Sequence, residues 1–575
     1  MPHSTVVTAA LGFLLLASAC GRPAPRLPAP DPAMASPAPD TSALAAQLPA
    51  LLETSGVPGL SIAVVRDGRV AWTGAFGTMN DSARTPLDRR TIFEAASLSK
   101  PVFAYLVLRL VDRGLFDLDQ PLHEILDYPR LSHDERYKRI TARIVLSHGT
   151  GLPNWGGPRL SLRFDPGTDY GYSGEGFVFL QKALERLTGH TLDQLARREV
   201  FEPLGMTRSS YVWQPRFEGE AAYALNWLWR VAPANRYTEG NAAASLLTTA
   251  PDFARFVAAV LTGRGLSPAI WREYLTPVRE ASAGLFVGLG IRVEDGPAGR
   301  IFYHSGNNGR RFTCYMTGDL ERGTGLVYFT NAYNGTTLVE VIGSTVLGRE
   351  HPPLHWAGYD RYDDPRRLAY QSVQRAAVER GADAARERLR EIRADSATRP
   401  SYDEMLELGA FFSGRGMDEF SIEILTGVLA ASPDSTGAHL ALGSALEAAG
   451  DLGAAMESYQ RAMALGQEPD EARGRLAWVQ ERLAARSQAV VVPEPRLATY
   501  AGAYQERSVT LRGGRLFYKG GPYPESPLKP MAEDLFEVEA DPTLRVRFIG
   551  DGVAPAPRLI EISRDGSVEE APRSP

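Results

Sequence analysis

The chain has 575 residues, 44% of them apolar and 23% charged, so most of it can bury a core, and at roughly 150 residues per domain it calls for about four units rather than one. Its formal net charge of −6 offers no basic surface to a polyanion, and nucleic acid is not expected as a partner.

The first 20 residues hold no Lys, Arg, Asp or Glu, and a mostly apolar run from Val6 to Ala19 ends at Cys20. This run is too short to span a bilayer and reads as a signal-peptide core over residues 1–20. The stretch "LASAC" resembles the lipobox of bacterial lipoproteins, in which the cysteine is acylated and becomes the new N-terminus. Leu16 sits four rather than three residues before Cys20, and "MPHST" lacks a positive charge, so ordinary cleaved secretion and an uncleaved apolar tail stay open beside acylation of Cys20. Acylation would leave Cys314 as the sole thiol, with no intramolecular disulfide. The resemblance implies a bacterial cell-envelope location, held to the membrane by the lipid anchor. Residues 21–40, rich in Pro and Ala, cannot bury a core and read as a stiff tether.

Globular patterning begins at Leu51. In "SIAVVRDGRVAWTGAFG" two β-rich runs flank Asp67-Gly68, which predicts a tight hairpin. The run from Val102 to Val111 is apolar nearly all round and predicts a buried helix. Helices are also expected at 175–188 and 251–262, then strands within 284–306 and at 325–331. Strands at both ends with helices between suggest one α+β unit over 41–350, its sheet closed by distant parts of the chain. A helical linker is expected over 351–399, with the stretch from Arg366 to Ile392 packing on the helical repeats beyond it. Leu406-Glu-Leu-Gly409 recurs at Leu440-Ala-Leu-Gly443, Gly416 at Gly450 and Ala430 at Ala464, each 34 residues on. That is the tetratricopeptide period, expected over 400–486 and offering a surface to a protein partner; a generic pair of helical hairpins is the alternative. From 490 to 570 short β-rich runs separated by Gly and Pro predict a small antiparallel sheet or partial barrel.

Ser-x-x-Lys occurs twice. At Ser526-Pro-Leu-Lys529 three prolines forbid a helix and the match is an accident. At Ser97-Leu-Ser-Lys100, Pro101 is tolerated only in a first helical turn, so Ser97 and Lys100 are set side by side at a helix start. A buried amine there loses affinity for its proton and can serve as base; a capping serine is the competing reading. Tyr172, in a Gly-rich turn before a helix, is a candidate phenolate or proton relay. An oxyanion hole needs two N–H groups, available from Ser97 and Asn307, with Gly306 allowing close approach of a substrate. His351 and His355 are separated by two prolines, and no metal or cofactor is expected. Gly288-Leu-Gly290 falls in a strand pattern without a third glycine, and Cys314 reads as a small core residue.

Ser97-Leu-Ser-Lys100, Tyr172-Ser-Gly174 and His304-Ser-Gly306, with "VPGLSIAVVRDGRV", "VLSHGTGLPNW" and "PLGMTRSSY", resemble the serine β-lactamase and penicillin-recognising superfamily, in its class C, esterase and D-peptidase branch. The resemblance covers residues 45 to 348. It implies an α/β sandwich, Ser97 as acylated nucleophile, Lys100 and Tyr172 sharing its proton, and a pocket strand carrying His304, Ser305, Gly306 and Asn307. Two positions depart from the pattern. Gly174 stands where an asparagine usually binds the substrate's amide carbonyl, and His304 replaces a lysine with a pH-dependent charge for a substrate carboxylate. The expected activity is therefore hydrolysis of an ester, a D-amino-acid peptide or a β-lactam amide, with β-lactams the least favoured. A non-catalytic binding or scaffolding lipoprotein is the rival expectation.

Overall fold

The computed structural model describes residues 41–157, 159–296, 299–348, 361–466, 469–487, 490–505, 507–520, 525–564 and 568–574. The signal segment, Cys20, the Pro/Ala stretch, His351 and His355 lie outside the described residues.

Asp67 and Gly68 both adopt positive φ, 46° and 71°, and turn the chain tightly between the strands Gly59–Arg66 and Arg69–Asn80. The other edge of Gly59–Arg66 pairs antiparallel with Thr324–Thr330, in register Leu60 to Thr330. The sheet is thus closed by the two ends of the unit. It continues through Phe312–Asp319, Gly299–Asn308, Arg292–Gly296, Leu285–Val287 and Arg279–Ser282, with Thr85–Pro86 at the opposite edge, nine strands in all.

Both faces of this sheet are covered, which is why its inner strands read as continuous apolar runs. The helices Thr41–Ser55 and Val339–Leu347 cover one face, packing Leu48 and Ile342 onto Ile62, Val64 and Tyr328. Ser99–Asp112, Gly174–Thr188 and Ala250–Thr262 belong to the larger core on the other. Ser99–Asp112 is buried at every position from Ser99 to Leu108. The result is the expected α/β sandwich of the serine β-lactamase type. Gly288-Leu-Gly290 corrects its expectation: it turns the chain between two strands, with Gly290 at φ 81°. A Cβ on Gly290 would lie 2.5 Å from the Ala104 methyl, so the glycine brings this turn against the Ser99–Asp112 helix.

Between residues 361 and 487 the described chain is helical. The stretch expected as one helical linker is two helices, Pro365–Arg380 and Ala382–Ala394, parted at Gly381, whose φ of 88° no helix accommodates. They share a core with Tyr402–Gly414 and Asp418–Ala431. The following pair, Thr436–Ala449 and Leu452–Leu465, begins 34 residues after its predecessors (402 and 436; 418 and 452), and Pro469–Ser487 closes the stack.

The last unit is an eight-stranded antiparallel meander running from Gly502–Tyr504 to Val568–Pro572. Its two ends meet where Tyr504 bridges Arg573 and the Ser574 N–H donates to the Ala503 carbonyl at 2.9 Å, giving the barrel-like form that leaves few free edges. Ser526 and Lys529 lie in the strand Ser526–Pro530, not on a helix.

Candidate active site

Ser97 lies in a 3₁₀ turn, Ala96–Leu98, that feeds directly into the helix Ser99–Asp112. The cap positions of these elements are Ala95 and Leu98, neither with a side-chain capping bond, so Ser97 is not a helix cap. The preceding residue, Ala96, has φ 46°, a left-handed conformation costing about 1–2 kcal/mol for a residue with a Cβ. Several bonds hold it there. Ser99 Oγ donates to the Ala96 carbonyl at 2.6 Å and accepts from the Leu246 N–H at 3.1 Å. Ala95 N–H donates to the Leu246 carbonyl at 2.7 Å, and the buried Cys314 thiol donates to the Ala95 carbonyl at 3.1 Å.

Lys100 is fully buried one turn along. Its Nζ donates to Ser97 Oγ at 3.2 Å and to the Ala243 carbonyl at 2.9 Å. Among the described residues no carboxylate pairs with it to offset the loss of hydration, and burial brings its pKa down to about 7. The amine lies 4.7 Å from the centre of the Tyr172 ring. Burial pushes the Tyr172 phenol up to about 12. Of the two options for Tyr172, the phenolate is therefore disfavoured and the neutral phenol is the form at neutral pH.

His148, to which the sequence assigned no role, completes this corner. Held at φ 55°, it stacks on Tyr172 with ring centres 4.4 Å apart and accepts from the Ser173 N–H at 3.1 Å through Nδ1. Burial above all, then the positive charge of Lys100, keeps its pKa well below the usual imidazole value.

The strand Gly299–Asn308 brings up His304, Ser305, Gly306 and Asn307. It pairs along its whole far side with Phe312–Asp319, but its pairing with Arg292–Gly296 ends at Tyr303. From His304 onward, among the described residues, no strand covers the near edge, the arrangement an N–H donor toward a substrate requires. Two expectations are corrected here. His304 is buried, and burial followed by Arg292 and Lys100 holds its imidazole well below its ordinary pKa, so it is neutral rather than a pH-dependent charge near neutrality. The positive charge beside it belongs to Arg292, a residue the sequence did not single out. Gly306 serves the nucleophile turn rather than a substrate: a Cβ there would sit 2.8 Å from the Ala95 carbonyl and 2.6 Å from Cys314 Sγ.

Glu94, three residues before Ser97, was likewise not foreseen. Completely buried, it accepts from Arg311 at 2.9 Å, the Asn235 N–H at 2.8 Å, the Tyr237 hydroxyl at 2.9 Å and the Asn308 amide. One carboxylate thus ties the approach to Ser97 to the end of the strand that carries Asn307.

The Beta-lactamase family model matches residues 44–342, just over half of the 575 residues, and the chain belongs to that family. It is 28% identical over 171 residues to a D-aminopeptidase of Gluconobacter oxydans (26% of this chain, 32% of that protein). It is 30% identical over 209 residues to Esterase EstB of Burkholderia gladioli (30% and 53%), so the match spans less than two thirds of either relative. A solved class C β-lactamase is 18% identical with a TM-score of 0.49, over 54% of this chain and 95% of that one.

Proposed function

We propose that the protein is a serine hydrolase working through an acyl-enzyme on Ser97. The observation that carries this reading is Lys100, an amine buried 3.2 Å from the serine oxygen with a pKa of about 7. Such an amine is neutral often enough at working pH to take the hydroxyl proton, which an ordinary lysine is not. In the proposed cycle Ser97 Oγ attacks the carbonyl carbon and its proton passes to Lys100 Nζ. The N–H groups of Ser97 and Asn307 receive the oxyanion. Collapse breaks the bond to the leaving group, which regains the proton through the Tyr172 phenol. Water then attacks the acyl ester, gives up its proton by the same route, and releases the acid with Ser97 restored.

An ester or a D-amino-acid peptide is the favoured substrate over a β-lactam amide. Gly174 has no amide for an acylamino carbonyl, and the neutral His304 offers no charge to a carboxylate. The names of the D-aminopeptidase and esterase relatives point the same way. Ser97→Ala should fold normally yet lose hydrolysis of a short nitrophenyl ester, retaining at best a rate on the order of 10³ over water. Wild-type-like turnover in that variant refutes the assignment.

We also propose export to the bacterial envelope with acylation at Cys20. A single acyl chain binds membranes marginally, whereas the two or three on a mature lipoprotein cysteine anchor it stably. Cys20→Ser should then move the protein from the membrane to the soluble periplasmic fraction, and globomycin should make the precursor accumulate. Identical fractionation of the variant and the parent leaves ordinary secretion as the reading.

A further inference from the structure

The segment from His148 to Gly157 runs beside the Tyr172 turn and is bonded to it along its length. The His148 carbonyl accepts from Gly171 N–H at 2.9 Å, the Pro153 carbonyl from Ser173 Oγ at 2.8 Å, and the Asn154 carbonyl from Gly174 and Glu175 N–H at 3.0 and 3.2 Å. On the far side of Trp155, Gly156 N–H donates to the Glu175 carboxylate at 3.0 Å. Arg130 grips that buried carboxylate at 2.6 Å and donates to the Gly156 and Gly157 carbonyls at 2.7 and 2.6 Å. Trp155 is therefore fixed from both sides, yet it stays 50% exposed. Leaving the largest apolar side chain half in water on a braced loop forgoes the burial that ordinarily fixes a tryptophan.

Its ring has a definite neighbour. A Cβ built on Gly174 would lie 2.9 and 3.0 Å from the Trp155 ring atoms and 2.7 Å from the Asn154 carbonyl. Gly174 is buried beneath the ring. The indole thus occupies the space a side chain at position 174 would take, two residues along from Tyr172, whose ring centre lies 4.7 Å from the Lys100 amine that bonds Ser97, and half of its surface stays open to solvent.

We propose that Trp155 is a specificity-determining wall of the substrate cleft that receives a flat apolar or aromatic acyl group. The inference rests on Ser97 being the acylated nucleophile. The acyl group is the part that stays bonded to Ser97 through both halves of the cycle, so a fixed wall against it acts on acylation and deacylation alike. A planar group laid on the indole removes apolar surface of both from water and asks for no hydrogen bond.

The test compares p-nitrophenyl acetate with p-nitrophenyl phenylacetate, which share a leaving group and differ only in the acyl part. Trp155→Ala should lower kcat/KM for the phenylacetate by roughly 10-fold or more while the acetate value stays within about 3-fold of the parent. Trp155→Phe should keep most of the phenylacetate activity, and both variants should melt near the parent temperature. If Trp155→Ala does not fold, Trp155→Leu, apolar but not planar, reads the same ratio. An unchanged phenylacetate-to-acetate ratio, whether both values hold or fall together, overturns the proposal. Ser97→Ala in the same assay separates the two claims. Retained turnover there refutes the nucleophile and this inference with it, whereas Ser97-dependent turnover with an unchanged ratio refutes Trp155 alone.

Discussion

Lys100 sets reactivity against stability. Above pH 10.5 its amine is neutral whether the chain is folded or unfolded, and burial costs nothing through it. As pH falls from 10.5 toward 7 the unfolded chain takes up a proton that the folded chain, with its pKa near 7, does not, so stability falls with pH across that window. Below about 7 the folded amine is protonated as well and the cost levels off. Near pH 7 the shift corresponds to about 4 kcal/mol. Lys100→Met removes that cost but forgoes the bonds to Ser97 and the Ala243 carbonyl, worth about 1 kcal/mol each. The variant should therefore lose ester turnover and gain about 2–3 kcal/mol in urea unfolding at pH 7, the gain disappearing toward pH 10. A variant no more stable than the parent at pH 7 argues against a desolvated amine. In the parent, turnover should rise with pH through a limb centred near 7. Neither the Tyr172 phenol, up at about 12, nor the His304 imidazole, well below its usual range, titrates there.

At the scale of single elements, what was legible in the sequence was local. The Asp67-Gly68 hairpin follows from the dipeptide at its tip. The Ser97–Lys100 pairing follows from a three-residue spacing at a helix start fixed by Pro101. The 34-residue offset of the helices follows from the repeat in the letters, whereas the break at Gly381 inside the helical stretch does not, because a lone glycine is tolerated in helical patterns and its φ is not visible in the sequence. What stayed illegible depends on residues far apart in sequence. Glu94 takes its donors from positions 235, 237, 308 and 311, a convergence that no spacing announces. His148 sits in a loop and acts through a ring stacked on Tyr172. Gly306 looked like a substrate contact because a glycine beside a candidate oxyanion donor invites that reading. Its actual constraint comes from Ala95 and Cys314, on two other elements.

At the scale of the whole molecule the three units brace one another at a few joints. Buried Arg545 of the barrel stacks on Trp478 at 3.5 Å and pairs with Glu481 at 2.6 Å, joining the barrel to the helix Pro469–Ser487. The hydrolase unit reaches the helices through the loop between its short strands Tyr223–Leu225 and Val231–Pro233, whose Trp227, Leu228 and Trp229 pack into the first helical core. Leu228 packs tightly on Gly414, where a Cβ would stand 2.6 Å from its Cδ2. Its carbonyl accepts from Arg415 at 3.1 Å, and Arg230 donates to the Gly414 carbonyl at 2.9 Å. Leu228→Asp would put a carboxylate in place of a partly buried apolar contact, against the C-terminal end of the Tyr402–Gly414 helix, where the dipole is negative. A penalty of about 2–4 kcal/mol at this joint is expected. The helices should bear it, because the hydrolase core is complete without them. Calorimetry of Leu228→Asp should show the helical unit melting first as a transition separate from the hydrolase, with Ser97-dependent ester turnover surviving until the second. If the variant unfolds in one transition at the parent temperature, the loop does not brace the helices. If turnover is lost with the first transition, the hydrolase cannot hold its site without them.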